Sequence, residues 1–129
     1  MILGIGLDLC DVERMGKAIE REHFVDRVFT AAEAGRIRGV PPARAAEIAA
    51  GLFAAKEAVS KALGTGLAGI GMADIEITPD EAGRPTCALR DKALERARRL
   101  SGGAPFRMWV SITHEKGMAA ATAIIESGA

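Results

Sequence analysis

Cysteine, aromatic side chains and any surplus of charge are scarce in this sequence, and each shortage closes off a class of protein. Cys10 and Cys87 are the only two cysteines among 129 residues. That is too few for a disulfide scaffold, so both are expected as reduced thiols of a cytoplasmic protein. Phe and Trp together make up 4% of the chain and Tyr is missing, which leaves little with which to stack nucleobases. Seventeen Lys and Arg residues balance seventeen Asp and Glu, so no overall field draws the chain to nucleic acid or to an anionic membrane. No apolar run reaches the roughly 18 residues that a membrane span needs. Met1 leads straight into a strand-like Ile2-Leu3-Gly4-Ile5, with no basic leader before it. What is present, 49% hydrophobic and 26% charged residues, is a globular balance, and residues 1–129 read as a single domain.

Alternation dominates the N-terminus. Leu3, Ile5, Leu7 and Leu9 fall on one face of a strand and Gly4, Gly6 and Asp8 on the other, which sets a carboxylate at the strand's end. Asp11 is placed to cap a helix through Val12, Met15 and Ile19. Phe24, Val25, Val28 and Phe29 mark a second short helix, and Thr30 with Glu33 has capping-box spacing for a third. Pro41-Pro42 breaks the chain ahead of a long helix predicted over 43–63, which stops at Gly64. A hairpin with strands over 73–78 and 85–89 follows, then a helix over 91–100 and a glycine-rich linker. A last hairpin turns at Glu115-Lys116-Gly117, its first strand carrying Met108, Val110, Ile112 and His114 on one face. The expectation is an α+β domain in which an antiparallel sheet packs on a long central helix, with the N-terminal strand in the same sheet as the final hairpin.

Within the long helix, Ile48, Leu52, Ala55, Val59 and Leu63 form an apolar stripe. Glu57 and Lys61 stand among Ala50, Phe53, Ala54 and Gly64, so these two charges are partly enclosed rather than fully solvated. One reading is a simple i,i+4 ion pair worth about 0.2 to 0.5 kcal/mol. The other draws in Asp8, whose same-face neighbours Gly4 and Gly6 clear space around it. Two hard oxygen donors beside an ammonium make a Mg²⁺ and phosphate site, because magnesium takes one or two protein carboxylates and completes its shell with water and phosphate oxygens. His114, ending an apolar strand face, is either a hydrogen-bonded edge residue or part of a site. Arg14, Lys17 and Arg21, spaced i, i+3 and i+7, form a cationic stripe on the first helix, which by itself reads as a solvated face beside Glu13, Glu20 and Glu22.

Three segments carry a resemblance: Gly4-Ile5-Gly6-Leu7-Asp8-Leu9, the run from Phe53-Ala54-Ala55-Lys56-Glu57 to Gly64-Thr65-Gly66, and Val110-Ser111-Ile112-Thr113-His114-Glu115-Lys116. In this combination, and with Asp74-Ile75-Glu76-Ile77 and Gly83-Arg84-Pro85 between them, the chain resembles the holo-acyl-carrier-protein synthases of the phosphopantetheinyl transferase superfamily. The resemblance implies the 4′-phosphopantetheinyl transferase fold and a cytoplasmic enzyme of fatty acid biosynthesis that moves phosphopantetheine from coenzyme A to a serine of apo-acyl carrier protein. It implies Asp8 and Glu57 as Mg²⁺ ligands and, with Lys61 on a phosphate, as the catalytic group. Ser60, Gly64, Thr113 and His114 would line the coenzyme A cleft, Arg44 would meet the 3′-phosphate, and Arg14 and Arg21 would dock the acidic carrier protein. It further implies a homotrimer with active sites between subunits, Arg44 and His114 being supplied by the neighbour. One position departs from the family pattern: Leu52 stands where an arginine is usual, so nucleotide affinity is weaker or comes from another arginine. Two other classes compete, a noncatalytic carrier-binding module, against which Asp8, Glu57 and Lys61 speak, and a different magnesium-dependent phosphotransferase or nucleotide-binding protein.

Overall fold

The longest helix begins at a proline because a first helical position has no use for a backbone N–H and is suited to a fixed φ. The computed structural model describes residues 1–66 and 68–128. In chain order, β1 (Ile2–Asp11) leads into three short helices, α1 (Val12–Ala18), α2 (Glu22–Val28) and α3 (Ala31–Arg38). The long helix α4 (Pro42–Ala62) follows, then a 3-10 turn (Met72–Asp74) and the hairpin of β2 (Ile75–Pro79) and β3 (Pro85–Leu89). Helix α5 (Asp91–Leu100) precedes the second hairpin, β4 (Phe106–Glu115) and β5 (Met118–Ser127).

The local signals act as expected. Asp11 accepts a hydrogen bond from the Arg14 N–H, and Thr30 and Glu33 form a reciprocal capping box. Helix α4 stops where Gly64 takes φ +81°, a left-handed conformation glycine adopts freely, and the N–H groups of Thr65 and Gly66 fold back to the Ser60 carbonyl. Two expectations needed correction. Helix α1 ends at Ala18, so Arg21 is not on the helix of Arg14 and Lys17; it sits in extended conformation ahead of α2. The strand predicted from 73 begins at Ile75, the preceding residues forming the 3-10 turn.

Strand β5 is central in an antiparallel sheet of order β1–β5–β4, and β2–β3 is a separate pair. Helix α4 lies on the three-stranded sheet, and its alanines make that approach close: Ala49, Ala50, Ala54, Ala55 and Ala58 have no exposed surface. The face of β1 turned to the helix is the glycine face. A Cβ on Gly6 would stand 1.8 Å from the Ala58 carbonyl oxygen, and one on Gly4 1.9 Å from that of Ala62. The two glycines therefore clear space for the helix backbone, not for a ligand beside Asp8. Ile5, Leu7 and Leu9 lie on the opposite face and are 64%, 59% and 63% exposed.

A second tie holds α4 from its other side. Lys56, fully buried, lies 2.7 Å from the Glu33 carboxylate and donates to the backbone carbonyls of Met72 and Ile75. The second Glu33 oxygen accepts the Ile77 N–H at 2.7 Å. One ion pair thus links α3, α4, the 3-10 turn and β2 with every polar atom satisfied, the condition under which a buried pair is tolerable. Burial pulls the Lys56 ammonium below its ordinary pKa, and Glu33 opposes that pull.

Gly6→Ala is expected to destabilise the fold by about 3 kcal/mol or more, because the colliding atom is helix backbone that cannot turn aside. Gly35→Ala, on an exposed stretch of α3 with nothing within 4 Å of the new Cβ, is the matched control; it should stabilise by about 0.5 to 1 kcal/mol. Thermal unfolding followed by circular dichroism distinguishes the two, and equal midpoints would contradict the close approach.

Candidate active site

Because α4 can settle onto the glycines of β1, its charged residues reach the end of that strand. Lys61 Nζ donates to Asp8 Oδ1 at 2.9 Å and to the Leu7 carbonyl at 3.0 Å. Lys61 is thus committed to the strand; among the described residues no ion pair joins it to Glu57, so the simple i,i+4 reading does not hold. Glu57, one helical turn earlier, shares a cleft with Asp8 and pairs with no cation among the described residues. Burial first, and then the Asp8 carboxylate, push Glu57 above its ordinary pKa, with Lys61 pulling the other way.

Two carboxylates that repel each other across a cleft, with one ammonium on only one of their oxygens, are a donor set that a hard divalent cation satisfies. Among the described residues no three or more His, Cys, Asp or Glu side chains gather as a metal site. An ion here would take two protein ligands and leave the rest of its shell to water and substrate, the arrangement magnesium adopts. The residues therefore fit Mg²⁺.

The cleft encloses about 630 Å³. Asp8 and Glu57 line it together with Arg14, Lys17, Arg21, Phe24 and Phe53. Arg21 lies over the Phe24 ring, its guanidinium 5.8 Å from the centroid, so a residue off the α1 helix still reaches this rim. A second and smaller cleft of about 190 Å³ is lined by Arg44, Leu52 and His114 together with Arg36. His114 Nε2 is 2.8 Å from the Glu47 carbonyl and its ring packs where Gly51 has no side chain. The two clefts share no lining residue.

The remaining expected residues fall elsewhere. Ser60 is 1% exposed and its hydroxyl donates to the Glu57 carbonyl at 2.7 Å, so its side chain faces the helix rather than a cleft. Gly64 ends the helix, steadied by Arg96, whose Nε donates to the Leu63 carbonyl at 2.8 Å. Thr113 and His114 alternate across β4, and only His114 reaches the smaller cleft. Sequence reasoning overlooked Lys56 and Arg36. Lys56 had a signal: it stands four residues after Leu52 and three before Val59, on the apolar stripe, where a cation demands a buried partner. Arg36 had none, because only the fold brings α3 beside α4 at that cleft.

Residues 4–122 match the model of the 4′-phosphopantetheinyl transferase superfamily, and the chain belongs to that family. It is 47% identical to the holo-acyl-carrier-protein synthase of Methylobacterium radiotolerans, over 98% of this chain and 95% of that relative. With the holo-acyl-carrier-protein synthase of Clostridium beijerinckii it shares 41% identity over 98% of this chain and 99% of that one. Among solved structures, that of the holo-acyl-carrier-protein synthase from Bacillus anthracis in complex with CoA (3′,5′-ADP) superposes with a TM-score of 0.82 at 33% identity, covering 99% of both chains. The acyl carrier protein synthase of Plasmodium yoelii with ADP bound gives 0.86 at 31%, covering 100% of this chain and 98% of that one.

Removing the ammonium that offsets the Asp8–Glu57 repulsion has a defined sign. Lys61→Met should move the Glu57 pKa further up, so that in chelator-treated protein its carboxylate is lost at a higher pH on acidification. Carboxyl-carbon NMR titration reads this directly, and an unmoved or lowered Glu57 midpoint would show that Lys61 does not act on it.

Proposed function

We propose that this chain transfers the 4′-phosphopantetheine group of coenzyme A to a serine hydroxyl of an apo-acyl carrier protein, releasing adenosine 3′,5′-bisphosphate. The observation that carries this reading is that Asp8 of β1 meets the α4 residues Lys61, by a hydrogen bond, and Glu57, in a cleft that Arg14, Lys17 and Arg21 also line. The bond formed is serine oxygen to phosphorus; the bond broken joins that phosphorus to the oxygen leaving with the nucleotide. Such a transfer asks the protein for alignment and for charge neutralisation rather than for a covalent intermediate. A magnesium ion on Asp8 and Glu57 would supply neutralisation at the diphosphate. Lys61, held by Asp8 and the Leu7 carbonyl, presents a fixed positive charge beside it. The serine proton would pass to one of the two carboxylates, Glu57 or Asp8, or to a water in their cleft.

The basic rim explains the partner. Arg14, Lys17 and Arg21 suit an acidic protein surface, and docking there would deliver its serine to the carboxylates in the same cleft. The open face of β1, with Ile5, Leu7 and Leu9 exposed, suits burial against further copies of the chain, as in the homotrimer that the resemblance implies. A nucleotide held by the Arg44–His114 cleft of one copy and reacting at the Asp8–Glu57 cleft of the next would account for two clefts with no residue in common. Two unbonded thiols suit a reducing cytoplasm, where fatty acid biosynthesis would use the product.

Incubation with coenzyme A, Mg²⁺ and apo-acyl carrier protein should add one phosphopantetheine to the carrier by mass spectrometry, and chelation should abolish the addition. Glu57→Gln should lower turnover by about a hundredfold or more, whereas Arg14→Glu should raise KM for the carrier by about fivefold, an effect that shrinks as salt is added. No modified carrier under any of these conditions would reject the transferase reading. For the assembly, sedimentation equilibrium is expected to return three chain masses; a monomer at micromolar concentration would remove that part of the proposal.

A further inference from the structure

Helix α3 carries two arginines that end in opposite circumstances. Arg38 lies 2.6 Å from Glu22 and 3.8 Å from Asp26, so its charge is answered within the fold. Arg36, half-buried, has no carboxylate within 4 Å among the described residues and donates no side-chain hydrogen bond there. It lines the smaller cleft with Arg44 and His114, and among the described residues no Asp or Glu lines that cleft. Ile48, Leu52, Ile77 and Ile112 give the same cleft an apolar lining.

A partly desolvated guanidinium beside apolar walls is costly unless something anionic joins it. The only other arginine there is lightly held: Arg44 meets Glu47 at 3.7 Å, with both side chains largely exposed, a pair readily exchanged for a better anion. The support beneath Arg36 is rigid. It stands one turn beyond Glu33, whose carboxylate is fixed by Thr30, Lys56 and Ile77, so the guanidinium is offered from a braced helix rather than from a loop. At about 190 Å³ the cleft takes a fragment of a ligand, of the size of a phosphorylated sugar edge, rather than a whole coenzyme.

We propose that Arg36 is a phosphate-binding residue which, together with Arg44, clamps the 3′-phosphate on the ribose of coenzyme A. This rests on the transferase reading above, which supplies the ligand. A guanidinium fork matches two phosphate oxygens at once, and two arginines lining one cleft, from α3 and α4, suit a doubly charged monoester better than one. Leu52, 2% exposed, offers the same cleft only methyl groups. Arg36 therefore supplies, from a different helix, the second cation of the cleft.

The test compares coenzyme A with 3′-dephospho-coenzyme A, which differ only in that phosphate, using the full chain with apo-acyl carrier protein and Mg²⁺. In the wild type, KM for the dephospho form should exceed KM for coenzyme A; Arg36→Met should shrink that ratio by about tenfold, and Arg36→Lys should restore part of it. An unchanged ratio in Arg36→Met, or equal changes in KM for both substrates, would overturn the assignment. Calorimetric titration with adenosine 3′,5′-bisphosphate and with adenosine 5′-monophosphate reads the same preference without turnover. An inactive wild type that still prefers the bisphosphate, and loses that preference in Arg36→Met, would reject the transferase reading while supporting the pocket. Thermal unfolding of both variants near the wild-type midpoint confirms that the comparison is made on folded protein.

Discussion

The contact between helix α4 and strand β1 is the constraint from which the rest of the molecule follows. It is set by two missing methyl groups, at Gly4 and Gly6, and by a run of alanines that lets the helix backbone come down onto the strand. Close approach is what carries Lys61 to Asp8 and sets Glu57 in the same cleft, so the site is a by-product of backbone packing. At this contact close approach of the backbones supplies the dispersion that branched side chains such as Leu63, Ile75, Ile77 and Ile125 supply in the rest of the core.

Neighbouring residues of α4 are given opposite electrostatic fates. Lys56 is sealed from water and consumed by Glu33 and two carbonyls, while Glu57, next in sequence, opens onto a cleft. The first arrangement braces the second. By tying α4 to α3 and β2, the buried pair fixes the rotation of the helix about its axis, and a helix that cannot rotate holds its carboxylate at a constant height above β1. Charges that repel are thereby kept together, a strained disposition that a helix free to turn would relax.

Most of the element plan was legible because it was written in short-range signals. The capping box at Thr30 and Glu33, the proline before α4 and the glycine after it each specify a boundary through local hydrogen bonding or a fixed dihedral, and each appears in the fold. The family motifs placed Asp8, Glu57 and Lys61, and the fold brings all three together. What could not be read was partnership across the chain. Spacing suggested Glu57 for Lys61, whereas a strand far away in sequence takes it. The glycines looked like room for a ligand and prove to be room for a helix. Thr113 and His114 were grouped by motif although a strand sends adjacent side chains to opposite faces. Arg36 escaped notice because its surroundings come from four other elements, α4, β2, β3 and β4.

The sheet's connectivity imposes an order on the chain's maturation. Among the described residues β1 pairs in its sheet with β5 alone, Ile2 lying opposite Glu126, so two segments far apart in sequence must meet before the sheet is complete. Until then its row of leucine and isoleucine side chains has no hydrogen-bonded neighbour and α4 has no finished floor to rest on. Loop closure between segments as far apart as Ile2 and Glu126 comes before the reward of pairing, which slows folding and leaves an apolar edge exposed meanwhile. Disruption of β5 would accordingly cost far more than its own contacts suggest, since β1 would lose its ladder along with it.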